Sequence, residues 1–343
     1  MIAAIRKEIT LRKDYLKGDS LSTIYLGGGT PSLLEPEQIS SLFEIIHQTF
    51  RVDKDAEVTL EANPDDLIPE RCKAFFQAGI NRLSIGIQSF YDKDLQFMNR
   101  AHSAAQAFAA IQNVREAGFT DISIDLIYGI PHQPPGQWEK NLEEAFDLKI
   151  DHLSCYALTV EPRTALADMI KKRKVPPVSE EKATAEFVTL MNRAAAEGYE
   201  HYEISNFARN KRYSRHNTAY WNGGKYLGAG PSAHSYDWES RQWNISNNNL
   251  YIRALESDQL SFEREQLTPA NKFNEYVLTA LRTQWGLDTD RIEKEFGTER
   301  RVHIETQLKE YVEQGLVCRV GNSHQLTRSG KLFADRLAGA LFV

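Results

Sequence analysis

Four short apolar runs punctuate the first 130 residues, and each ends on polar or glycine residues of a distinct kind. Thr23-Ile24-Tyr25-Leu26 runs into Gly27-Gly28-Gly29-Thr30-Pro31-Ser32, and Val58-Thr59-Leu60 into Glu61-Ala62-Asn63-Pro64. Leu83-Ser84-Ile85-Gly86-Ile87 is followed by Gln88-Ser89, and Ile122-Ser123-Ile124 by Asp125-Leu126-Ile127-Tyr128-Gly129. Short, nearly continuous apolar runs separated by helix-length stretches predict parallel strands buried on both faces. Strands are expected at 23–26, 57–61, 82–88, 121–127 and 152–158. Helices are expected at 1–17, at 36–50 with Pro36 in the first turn, at 69–78 before Gly79, in a broken stretch over 92–117, and up to Leu148. Spacings of roughly 25 to 40 residues between strands suit right-handed βαβ crossovers. In a parallel α/β barrel every strand delivers its last residue to one rim. The glycine triplet, Glu61, Gln88 and Asp125 are therefore expected to converge on one ligand.

Further along, helical patterns at 164–173 and 179–197 flank Pro176-Pro177. Residues 200–250 are rich in Asn, Gly, Tyr and Trp, lack a clear period, and read as ordered loops over the site. From Leu267 the pattern changes to short amphipathic helices at 269–283, 288–296 and 301–314. Two short strands, 316–320 and 324–326, and a last helix follow. The expected organisation is an incomplete parallel (β/α), TIM-like barrel over 1–200, a connecting and site-covering segment over 201–266, and a helical, winged-helix-like accessory domain over 267–343.

At 343 residues, 41% hydrophobic and 26% charged, the chain reads as a globular protein of about two domains. No run approaches the roughly 18 apolar residues of a membrane span, and the mixed-charge N-terminus is not a signal peptide. A net charge of -6 argues against sequence-independent binding to nucleic acid. Cys72, Cys155 and Cys318 are scattered without metal-ligand spacing, which suggests a reducing compartment, the cytoplasm.

The candidate chemistry sits at the strand ends. Glycines at 27–29 permit positive φ and can present successive N–H groups to a carboxylate or phosphate. The loop is neither a G-x-G-x-x-G fingerprint nor a P-loop. Glu61 precedes Asn63-Pro64 and can accept bonds from a ligand's ammonium or hydroxyl groups; taken alone it could equally be a helix-capping acid. Arg100 can pair bidentately with a carboxylate, and alone would read as a surface ion-pair partner.

Together these strings resemble the radical S-adenosylmethionine (SAM) enzymes of the oxygen-independent coproporphyrinogen III oxidase group. They are Tyr25 to Ser32, Leu60 to Pro64, Arg82 to Ser89, Asn99-Arg100 and Asp125 to Pro131, and the resemblance covers essentially the whole chain. It implies that Gly28, Gly29 and Thr30 hold the methionyl end of SAM. It also implies that Glu61, Gln88, Arg100 and Asp125 line the SAM or second-ligand pocket, with Ala157 a weaker transfer. The family carries a [4Fe–4S] cluster on a C-x-x-x-C-x-x-C loop, and none of the three cysteines here has that spacing. The chain as given is therefore not expected to ligate the cluster in the family's way. An N-terminally truncated chain or an internal start is the economical explanation.

His216-Asn217-Thr218-Ala219-Tyr220-Trp221 matches the H-N-x-x-Y string of the heme-chaperone branch of this group. A neutral imidazole suits heme iron, and aromatic neighbours suit porphyrin faces. His216 and Tyr220 would share a helical face. The resemblance implies heme, with His216 as an iron ligand, Tyr220 in the heme site and His234 as a secondary candidate. The implied partner is a heme-accepting apoprotein, with transient membrane contact during delivery. The rival activity is coproporphyrinogen III dehydrogenation by a SAM-derived radical.

Overall fold

The computed structural model describes residues 1–343. In chain order it runs α1 (Ile2–Leu11), β1 (Leu21–Leu26), α2 (Pro36–Thr49), β2 (Val52–Ala62), α3 (Pro69–Gln77), β3 (Arg82–Gln88), α4 (Asp92–Phe97), α5 (Ala104–Glu116), β4 (Asp121–Tyr128), α6 (Gln137–Asp147) and β5 (His152–Ala157). Then follow α7 (Ala165–Lys171), α8 (Glu180–Ala196), β6 (Glu200–Glu203), β7 (Asn206–Ala208), α9 (Arg215–Trp221), β8 (His234–Tyr236), β9 (Ser240–Asn244), α10 (Asn248–Glu256) and β10 (Phe262–Gln266). The chain ends in α11 (Pro269–Leu281), β11 (Leu287–Asp288), α12 (Thr289–Phe296), α13 (Thr298–Glu313), β12 (Val317–Val320), β13 (Ser323–Leu326), α14 (Arg328–Lys331) and α15 (Ala334–Ala340).

Seven strands form an open sheet in the order β1-β2-β3-β4-β5-β7-β6. Strands β2 to β5 are mutually parallel, and the β6–β7 hairpin adds antiparallel to β5. This is the α/β, incomplete-barrel class that the strand spacing implied. Residues 25–33 and 58–214 form one compact unit; residues 1–24, 34–57 and 215–343 form another. These units cut across the consecutive segments 1–200, 201–266 and 267–343. Two contacts account for the difference. The 200–208 hairpin pairs with β5, and α1 packs against α10 through Ala4, Tyr251 and Leu255.

In the first of these units, one sheet face is wholly apolar: Leu60, Leu83, Ile85, Ile124, Leu126 and Leu153 are fully buried. Burial of each such side chain favours folding by about 1.5–3 kcal/mol. The opposite face is polar, carrying Thr59, Arg82, Ser84, Ser123, Asp125, His152 and Ser154 at alternate positions. The strands are thus two-faced rather than apolar on both sides. Helix ends follow their local chemistry. Pro69 opens α3, and Gly79 beyond its end takes φ +99°. Ser103 and Gln106 form a reciprocal capping box on α5. Between α4 and α5 the chain turns at Asn99 (φ +54°), which places Arg100 outside either helix.

In the other unit, β8, β9 and β10 form an antiparallel sheet and β11, β13 and β12 a smaller one. The latter joins α11–α13 in the helical accessory region expected from Leu267 onward. The opening helix stops at Leu11 instead of running to residue 17. Turns follow to Lys17-Gly18, where both residues have positive φ. The 200–250 stretch, expected as loops, instead contains four strands, α9 and the start of α10, built on pairings that single-strand periodicity does not reveal.

Candidate functional site

Parallel pairing sets the C-terminal ends of β2 to β5 on one edge, with Glu61 opposite Ser84, and Asp125 opposite Ser154. The glycine loop joins this edge. Gly28 N–H donates to Glu61 Oε2 at 3.0 Å, and the Tyr25 hydroxyl donates to Glu61 Oε1 at 2.7 Å. Gly28 and Gly29 have φ of +73° and +72°, which only glycine adopts without strain. A side chain at Gly27 would meet the Tyr25 ring and the Glu61 carboxyl at 2.5–3.0 Å. Glu61 is therefore bound to the loop and does not cap a helix. Thr30, half-buried, leads into the 3₁₀ turn Pro31–Leu33.

Gln88 ends β3 at φ +67°, beyond an irregularity in its pairing with β4. A non-glycine residue in this region is uncommon and clusters at sites where geometry is functional. Its amide lies beside Gly86, where an added Cβ would come within 2.9 Å of Gln88 Nε2 and 3.2 Å of Arg100 Nη2. Arg100 donates to Asn63 Oδ1 at 2.7 Å and to the Gly86 carbonyl at 3.2 Å. Gly28, Glu61, Gln88, Arg100 and Asp125 are thus gathered at one edge. Ala157, exposed, closes β5 opposite Tyr128 on the same edge.

Asp125 accepts from Ser84 at 3.4 Å. Burial pushes its carboxyl up to about 7; hydrogen bonds from Ser154 and Ser84 oppose the shift, and the Glu61 charge adds to it. Folded Asp125 holds its proton to higher pH than the unfolded chain, so the native state binds more protons between about 3.8 and about 7. Stability from this group falls as pH rises through that window. Asp125→Asn should flatten the slope and leave the variant more stable than the native protein at pH 8, read by urea unfolding at pH 5 and pH 8. An unchanged slope would place the titration elsewhere. A cationic ligand that pairs with ionised Asp125 should bind more tightly across the same rise.

Tyr25, Asn63, Ser84 and Ser154 contribute to this site but did not stand out in the sequence. The signal was available in the period-2 alternation of Leu83-Ser84-Ile85 and Leu153-Ser154-Cys155, which points both serines away from the apolar core.

His216 and Tyr220 belong to the other unit, on α9. His216 Nδ1 lies 2.9 Å from Thr23 Oγ1, and the backbone N–H groups of Arg215 and His216 donate to the two carboxylate oxygens of Glu57 at 2.8 and 2.9 Å. Burial pushes the imidazole below its ordinary value, so it is neutral near pH 7. The Tyr220 ring, 47% exposed, meets Trp221 edge-on at 5.3 Å and lies tilted against Tyr226 at 5.4 Å, and Tyr226 lies 6.0 Å from Tyr236. His234 is exposed on β8, 6.3 Å from the Trp243 ring.

Cys72 is buried on α3 with its thiol pushed up to about 11, Cys155 is buried on the apolar side of β5, and Cys318 lies on β12. No group of three or more His, Cys, Asp or Glu side chains is arranged to hold a metal ion. No helix is long and apolar enough to cross a membrane.

Residues 5–145 match the radical SAM superfamily model, and residues 267–333 match the HemN C-terminal domain. The heme chaperone HemW of Bacillus subtilis is 34% identical over 93% of this chain and 85% of its own length. HemW of Mycobacterium tuberculosis H37Rv is also 34% identical, over 99% of this chain and 85% of its own. The chain belongs to the HemW family. The fold agrees: coproporphyrinogen III oxidase (HemN) of Escherichia coli, a radical SAM enzyme, superposes with a TM-score of 0.84 at 25% identity, over 99% of this chain and 82% of that one. The HemN-type C-terminal domain match spans α11 to α14.

Proposed function

We propose that this chain is a cytoplasmic heme chaperone: it binds heme at His216 and passes it to an acceptor protein, with transient membrane contact during delivery. The observation that carries the reading is the His216 imidazole, held at Nδ1 by Thr23 on α9, the helix that also carries Tyr220, whose ring lies 5.4 Å from Tyr226. A neutral imidazole is a good ligand for heme iron, and the Tyr220, Tyr226 and Tyr236 rings are suited to porphyrin faces. The HemW relatives, named as heme chaperones, support the same reading. Titrating the purified chain with hemin should give a saturable, shifted Soret band. Absence of saturable uptake would reject the reading.

In this reading the strand-end site takes SAM. Glu61 and Asp125 suit its ammonium and ribose hydroxyls, while Gly28, Gly29 and Thr30 hold the methionyl end. Gln88, Arg100 and Ala157 line the remaining wall. Glu61→Ala or Asp125→Ala should weaken SAM binding by about 1–3 kcal/mol, from loss of charge-assisted bonds. Equilibrium dialysis measures this, and affinities within twofold of native would remove these carboxylates from the pocket.

The HemN likeness favours a second reading, coproporphyrinogen III oxidation. In the family that chemistry draws an electron from a [4Fe–4S] cluster, which needs converging thiolates. Cys72 and Cys155 are buried and burial pushes both thiols up, which disfavours them as cluster thiolates. Release of 5′-deoxyadenosine from SAM after anaerobic iron–sulfur reconstitution would revive the second reading.

A further inference from the structure

His216 is held from two directions by residues of the N-terminal third of the chain, although more than 150 positions separate them in sequence. From β2, the buried Glu57 takes the N–H of Arg215 on one carboxylate oxygen and the N–H of His216 on the other, at 2.8 and 2.9 Å. From β1, the Thr23 hydroxyl meets Nδ1 at 2.9 Å. The carboxylate fixes the backbone at the start of α9, so the position of the imidazole follows from β2. The hydroxyl then fixes rotation of the ring. Together they leave His216 little freedom to reorient, which the seven-residue α9 alone would not ensure.

A threonine hydroxyl can donate or accept, and by itself does not select a tautomer. Glu57 breaks the tie. Its carboxylate accepts the His216 N–H, and Nδ1 is the ring nitrogen nearer the backbone. The Glu57 charge acts on this imidazole, and a proton on Nδ1, the ring nitrogen fewer bonds from the N–H that Glu57 holds, answers it best, which favours the Nδ1–H form. We propose that Thr23 and Glu57 are positioning residues that hold His216 as the Nδ1–H tautomer, with the ring lone pair on Nε2. This rests on the heme reading only for its purpose. Hydrogen bonding at one ring nitrogen commonly sets which nitrogen serves a metal and raises its basicity, and loss of such a partner typically costs about 10–100-fold in metal affinity.

The test separates the cradle from the heme reading. Nitrogen-15 NMR of the imidazole in the heme-free protein reads the tautomer directly. The native protein should show Nδ1 protonated; Thr23→Val should shift the population toward Nε2–H, and Thr23→Ser should restore the native pattern. Glu57→Gln should shift it in the same direction as Thr23→Val, with unchanged far-UV circular dichroism. A native ring protonated mainly at Nε2, or a Thr23→Val ring indistinguishable from native, overturns the proposal. Hemin titration is the second arm: Thr23→Val should weaken binding about 10–100-fold and shift the Soret maximum, with recovery in Thr23→Ser. The predicted tautomer pattern without heme uptake by any variant would retire the heme reading and leave the cradle standing. Heme binding that is equal in all variants would sever the cradle from heme and overturn its purpose.

Discussion

Arg12→Ala is expected to destabilise the protein by about 3 kcal/mol or more. Arg12 is 5% exposed and Glu8 1%, and they pair at 2.9 Å. Arg12 also donates to Gln242 Oε1 at 2.9 Å and to Asn244 Oδ1 at 3.0 Å. Glu8 accepts from Gly230 N–H at 2.9 Å, from Asn244 Nδ2 at 2.7 Å and from the Tyr251 hydroxyl. Removing the guanidinium leaves a buried carboxylate with no facing cation, and leaves two amide oxygens unpaired. Urea midpoints followed by circular dichroism measure the loss. The control is the exposed Lys172–Asp168 pair at the C-terminal end of α7, where Lys172→Ala should cost well under 1 kcal/mol. A loss of similar size in both variants would mean that the Glu8–Arg12 network has no special weight.

That network also marks where sequence pattern runs out. Glu8 and Arg12 stand four apart on an amphipathic helix, which reads as a solvated surface pair. Their burial is imposed by Gly230, Asn244 and Tyr251, over two hundred residues away, and no local period encodes it. The same applies to Glu57, whose partners are the N–H groups that open α9. By contrast, the strand ends were legible because parallel topology turns a repeated local pattern into a shared edge. Placing Glu61, Gln88 and Asp125 required only strand boundaries and the rule that crossovers return to the same side. The serines beside Asp125 were legible in principle. Their alternation with Leu and Ile was outweighed by the general apolar character of the strands. The short strands of 200–266 could not be read at all, since three- to five-residue segments owe their existence to their partners.

His216→Ala is expected to abolish the shifted Soret band, lowering heme affinity by more than about 100-fold, since losing the iron ligand should exceed losing a supporting bond. The fold should survive. The side chain's hydrogen bond to Thr23 is worth about 0.5–1.5 kcal/mol, and α9 remains anchored by its backbone bonds to Glu57. Unfolding midpoints close to native, together with loss of the band, are therefore the expected pair of results. Tyr220→Phe discriminates between two roles for the ring. A minor effect means that it packs against the porphyrin, whereas an effect matching His216→Ala makes its hydroxyl a ligand. His234, exposed on β8, is the secondary candidate. If the His216→Ala, His234→Ala double variant binds heme as tightly as the native protein, the chaperone reading fails. Porphyrinogen oxidation then becomes the better account of the same fold.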